Sequence, residues 1–118
     1  MRGTQSPGTE YAPRIRNVVG VLGTNNALAE FLEVSRSRIT KWLTGAERPS
    51  TENARELLDL DHIISRAALV LHESEIKGWL TSPNPFIPGN SSPLSAIRTG
   101  HVDDALSAIE AEAEGAYS

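Results

Sequence analysis

Residues 27–49 read ALAEFLEVSRSRITKWLTGAERP, and the periodicity of this stretch decides the fold. Leu28, Ala29 and Leu32 form one helical apolar stripe, Val34 fills a bend, and Ile39, Trp42 and Leu43 form a second stripe after Ser35. The spacing predicts two short helices joined by a tight turn, a helix-turn-helix. A steep crossing needs a small side chain on the first helix, Ala29, facing bulky partners on the second, Ile39 and Trp42. Ser35 is placed to cap the second helix, Gly45 suits a left-handed C-terminal cap, and Pro49 prevents continuation. On the outer face stand Ser35, Arg36, Ser37, Arg38, Thr40 and Lys41, which offer cations and hydroxyls without a carboxylate. That chemistry suits base edges and phosphates in a DNA major groove, so these six are the candidate DNA-binding residues. The competing reading is a solvated face on a domain that uses the helix-turn-helix only as a dimerisation scaffold.

Working outward, residues 1–13 combine Gly, Ser, Thr and Pro with few apolar groups and read as a flexible N-terminal arm. Ile15, Val18, Val19 and Leu22 predict a supporting helix over 14–22, ended by Gly23, with Thr24, Asn25 and Asn26 as candidate caps for the next. This gives a first domain over 14–50. After Ser50, a candidate cap, the segment TENARELLDLDHIISRAALVLHE has neither Gly nor Pro and predicts one long helix whose apolar stripe widens toward its end. Such a helix is expected to be the shared spine of the protein. Ser74 is a candidate cap for a helix over 75–80 that Ser82-Pro83 terminates, and TSPNPFIPGNSSP makes a loop stiffened by four prolines. A short helix over 94–99 closed by Gly100 follows. A last helix is marked by Val102, Ala105, Leu106, Ile109 and Ala113, with Gly115 as its expected cap. No strand pattern and no internal repeat is present, so the fold class is all-α, with a second helical domain over 51–118.

The 118 residues carry a net charge of −4, but the halves differ. Residues 1–49 hold seven Lys/Arg and four Asp/Glu, net +3, whereas 50–118 hold four and eleven, net −7. A basic front tolerates phosphates; an acidic rear repels DNA and suits a basic protein partner or solvent. There is no cysteine, and no apolar run approaches the roughly 20 residues a membrane span requires, so a cytoplasmic protein is expected. His62, His72 and His101 lie on separate predicted elements without carboxylates at metal-ligand spacing, so no metal site is assigned. Glu110, Glu112 and Glu114 alternate around a helix and cannot form one cluster. Without a nucleophile–base pair, a Gly-rich phosphate loop or paired carboxylates, neither catalysis nor a cofactor is expected.

The residues from 27 to 49 resemble bacterial and phage repressors of the Xre type, with one departure: Glu33 stands at the bend where those usually have Gly. In the second half, GWLTSPNPF from Gly78 to Phe86, then Pro93, Leu94, Ile97, Thr99 and Gly100, and finally Gly115 and Tyr117, resemble the Xre/MbcA/ParS-type toxin-binding module. Trp79, Pro83, Asn84 and Pro85 are the most telling of these. The resemblance implies an all-helical antitoxin whose partner is a RES-type toxin, an enzyme that destroys NAD. It further implies that the C-terminal end, Gly115, Tyr117 and Ser118, sits at the mouth of the toxin's active site. An aromatic beside a terminal carboxylate suits a pocket built for an anionic dinucleotide. Phe86 and Ile87, on a loop with little to cover them, are candidate apolar anchors for the toxin, with docking on their own domain as the other reading. Trp42 and Trp79 are expected in the core, the latter under the Pro-rich loop with its N–H bonded to a loop carbonyl.

The expected whole is an antitoxin that also represses its own operon, acting on operator DNA as a homodimer within a larger toxin–antitoxin complex. A helix-turn-helix transcription regulator without a toxin is the alternative, and a scaffold that binds only proteins is the third.

Overall fold

The computed structural model describes residues 9–117, and among them every regular element is helical. A single 3₁₀ turn, Thr9–Tyr11, leads into α1 (Ala12–Leu22), followed by α2 (Asn25–Leu32), α3 (Arg36–Thr44) and α4 (Thr51–Ala67). Then come α5 (Glu73–Thr81), a 3₁₀ turn Pro88–Asn90, α6 (Pro93–Arg98) and α7 (Val102–Tyr117). The chain divides into two compact units, Met1–Leu58 and Asp59–Ser118, and the division falls within α4.

In the first unit, α1, α2 and α3 pack on one another and the opening 3₁₀ turn packs on α1 and α3. Ile15 and Val18 from α1, Leu28, Ala29 and Leu32 from α2, and Ile39 and Trp42 from α3 are all buried, as their spacing predicts. Gly23, at φ 107°, ends α1 by returning its N–H to Val19 O at 2.7 Å, and Thr24 Oγ1 caps α2 by accepting from Ala27 N at 3.0 Å. Of the arm expected over 1–13, residues 9–13 are helical. Pro13 sits in the first turn of α1, Ala12 is buried, and Glu10 pairs with Arg48 at 3.0 Å, while residues 1–8 lie outside the described residues.

Ser50 Oγ caps α4 by accepting from Asn53 N at 3.1 Å. Helix α4 ends at Ala67, although the apolar pattern runs on through Val70 and Leu71. The N–H groups of Leu69 and Val70 shift to carbonyls three residues back, Arg66 and Ala67, and the last turn tightens into a bend. The next helix then starts earlier than expected. His72 rather than Ser74 is its N-cap, and the Glu75 carboxylate accepts from the His72 main-chain N–H at 2.9 Å. Pro83 stops α5, and Ser92 Oγ caps α6 by accepting from Ser95 N at 3.1 Å.

In the second unit α6 packs between α5 and α7. Its core takes Ile76 and Leu80 from α5, Ile97 from α6, and Ala105, Ala108 and Ile109 from one face of α7. Gly115 does not cap α7: the helix runs through it to Tyr117. A glycine inside a helix costs about 1 kcal/mol relative to alanine, which the flanking Ala and Glu residues of this segment tolerate. Among the described residues, no helix is long and apolar enough to cross a membrane.

Candidate functional site

The turn between α2 and α3 is set by hydrogen bonds at the end of α2. Val34 N donates to Ala29 O at 3.0 Å and Glu33 N to Glu30 O at 3.2 Å, with Glu33 in the left-handed region at φ 60°, ψ 43°. This is a Schellman ending, in which the left-handed position is ordinarily filled by glycine. A glutamate there is strained yet builds the same bend. Ser35 then starts α3 with extended backbone, but its hydroxyl makes no cap bond; Ser35 Oγ lies 3.0 Å from Ser37 Oγ instead. Gly45, at φ 84°, closes α3 as its position predicts.

With Ile39 and Trp42 buried, the helix period places all six candidate DNA-binding residues, Ser35, Arg36, Ser37, Arg38, Thr40 and Lys41, in solvent. They are not electrostatically alike. Arg38 Nε lies 3.5 Å from Glu47 Oε1, whereas Arg36 and Lys41 have no ion pair among the described residues. Arg36 and Thr40 also line an open groove of about 520 Å³ with Thr24, Asn25 and Asn26. The sequence offers Asn25 and Asn26 as helix caps and not as DNA-binding residues. The signal for them is Thr24: a cap there starts α2 and sets its first-turn N–H groups beside the α3 face, a setting that favours an anion.

In the second unit, the loop between α5 and α6 is organised by one buried polar residue. Asn84 is 5% exposed. Its Oδ1 accepts from Phe86 N at 2.9 Å, its N–H donates to Ser91 O at 3.2 Å, and its carbonyl accepts from Ile87 N at 3.1 Å. These bonds turn two consecutive apolar residues in opposite directions. Phe86 is 56% exposed, while Ile87 is 3% exposed and joins Ala96 and Ala108 in a core cluster against which Trp79 packs. Ile87 is therefore no exposed anchor: it is a core residue, and of the two only Phe86 presents an apolar surface. Trp79 is only partly buried, packed against this core rather than within it; its Nε1 is buried without a hydrogen-bond partner, as is that of Trp42, so the bond expected to a loop carbonyl is not made.

Helix α7 brings Gly115 to an exposed position, and it continues to Tyr117, whose side chain lies outside the described residues together with all of Ser118. Asp103, Glu110 and Glu114 are exposed along the same helix, so the segment leading to the tail is anionic. Among the described residues, no group of three or more His, Cys, Asp or Glu is placed to hold a metal ion.

No protein-family model matches the sequence, and no curated protein matches it significantly. In three dimensions the chain is similar to a chain in the crystal structure of the M. tuberculosis MbcT-MbcA toxin-antitoxin complex, with a TM-score of 0.73 and 24% identity over 90% of this chain and 96% of that one. The likeness establishes the fold.

Proposed function

We propose that this chain is the antitoxin of a type II toxin–antitoxin pair. It binds a RES-type toxin, blocks that enzyme's NAD-degrading active site with its C-terminal end, and represses its own operon through α3. One observation carries the reading: the likeness to a chain of a toxin-antitoxin complex spans 90% of this chain, so it takes in both units and not the α2–α3 pair alone. The residues that resemble the toxin-binding module, Trp79, Pro83, Asn84 and Pro85 among them, support it independently. In this reading the chain is an inhibitor and not a catalyst.

The division of charge assigns the two tasks. A rear half of net −7 is repelled by a duplex and complements a pocket that binds an anionic dinucleotide with cations and N–H donors. Gly115, Tyr117 and Ser118 are the plug, and Phe86 is an aromatic anchor on the toxin surface. The exposed face of α3 meets operator DNA, and a homodimer sets two copies of α3 about 34 Å apart, one turn of the duplex. A regulator without a toxin accounts for α3 but leaves the acidic tail and the exposed Phe86 without a task.

The test is expression of the adjoining gene's product with and without this chain. Growth arrest relieved by co-expression is the expected result, and removal of residues 115–118 is expected to end the rescue while helical circular dichroism stays unchanged. A harmless neighbour, or rescue that survives the truncation, contradicts the reading.

A further inference from the structure

The second unit contains an open groove of about 510 Å³, whose lining includes Ile87, Ala96, Thr99, His101 and Asp104. Its floor is apolar, since Ile87 and Ala96 are both buried. The polar side of the groove is made of acceptors. Thr99 Oγ1 lies 3.1 Å from Ser95 O and 3.2 Å from Ala96 O, and its one proton is committed to those carbonyls. At the 3.1 Å contact between Thr99 Oγ1 and His101 Nδ1 the hydroxyl oxygen therefore accepts and the ring nitrogen donates. With Nδ1 protonated, Nε2 of the neutral ring is left as an acceptor. The His101 main chain is held by its N–H to Ala96 O at 2.8 Å. Asp104 donates its own N–H to His101 O at 3.0 Å, and its carboxylate has no hydrogen-bond or ion-pair partner among the described residues.

We infer that this groove seats an arginine side chain of the protein partner. The methylenes of the arginine lie on Ile87 and Ala96, and its guanidinium donates to the Asp104 carboxylate and to His101 Nε2. A planar group with five donors fits two separate acceptors better than a point charge does. No Lys or Arg lines the groove, so an anionic ligand has nothing to pair with, and the surrounding half of the chain carries net −7. The inference rests on the antitoxin reading only for the identity of the partner.

The experiment is an amide NMR titration of the full chain with N-acetyl-argininamide, compared with N-acetyl-citrullinamide, its uncharged isostere. Saturating shifts at Ala96, His101 and Asp104 are expected with the arginine compound, with affinity about tenfold weaker for the citrulline compound and for Asp104→Asn. Asp103→Asn, which removes an equal charge from an exposed neighbour outside the lining, is expected to leave binding unchanged. Equal shifts with citrulline, shifts spread over the whole acidic surface, or equal losses from Asp103→Asn and Asp104→Asn overturn the inference. If Asp104→Asn loses spectral dispersion, the citrulline comparison on the unaltered chain decides. A failed titration leaves growth rescue intact, and a failed rescue leaves guanidinium binding intact, so the two readings fail separately.

Discussion

Arg38 and Glu47 face each other across the end of α3, with Nε and Oε1 3.5 Å apart. Both side chains are solvated enough that the pair adds little stability, at most about 1 kcal/mol. Its consequence is for DNA, because a carboxylate beside one of three cations on the α3 face competes with phosphate.

Glu47→Gln is therefore expected to tighten binding to a duplex from this gene's own promoter by a few-fold, as read by fluorescence anisotropy. Lys41→Ala is expected to lower the slope of log affinity against log salt by about 1. Arg36→Ala, if the guanidinium reads a guanine edge, removes about 1 to 3 kcal/mol of discrimination between promoter and scrambled duplex. Three variants that all leave affinity and salt slope unchanged assign α3 to scaffolding.

Asn53 Nδ2 donates to Leu32 O at 3.3 Å and to Glu56 Oε1 at 3.2 Å, which ties α4 to the end of α2. Glu56 is 7% exposed, and burial holds its carboxyl above the ordinary value of 4.5, with the Asn53 hydrogen bond opposing the shift. Just above that value, the native state keeps a proton that the unfolded chain has shed. The contribution of Glu56 to stability therefore falls as pH rises through this window. Glu56→Gln retains an acceptor for Asn53 and is expected to flatten that part of the stability–pH curve in urea titrations. An unchanged slope contradicts the assignment.

Glu33 occupies a backbone conformation that disfavours side chains by roughly 1–2 kcal/mol, part of which glycine returns through its freer unfolded state. Glu33→Gly is expected to raise stability by up to about 1 kcal/mol with α3 undisplaced. A loss of stability would show that contacts of the Glu33 side chain outweigh the strain.

Asn84→Ala leaves Phe86 N without its acceptor and loosens the loop, with an expected loss of about 1 to 3 kcal/mol in unfolding free energy. Because the same bond directs Phe86 outward, partner affinity is expected to fall further than it does for Phe86→Ala alone. Equal losses in the two variants would mean that the loop acts only through the ring.

The elements that were legible in the sequence are those whose local signals agree. In the first unit the apolar period, Thr24, Gly23, Gly45 and Ser50 all point to the same boundaries, and the structure places them there. The end of α4 was hidden because Val70 and Leu71 continue the apolar period, while the stop depends on hydrogen bonds at Leu69 and His72 that no residue type announces. Gly115 reads as a stop, yet a helix rich in Ala and Glu passes through it. Phe86 and Ile87 are adjacent, apolar and flanked by prolines, so nothing in their composition tells outward from inward. That choice is made by the side chain of Asn84, two residues before Phe86. The acceptor groove escaped sequence reading for a related reason: His101 and Asp104 gain meaning only once Thr99 fixes the ring.

The most direct test of the account is the NAD content of cells that express the adjoining gene's product. The account expects NAD to collapse when that product is made alone, to hold at its uninduced level when the full chain is made with it, and to collapse again when residues 115–118 are removed. NAD that is unaffected by the product, or protected equally well by the truncated chain, would contradict it.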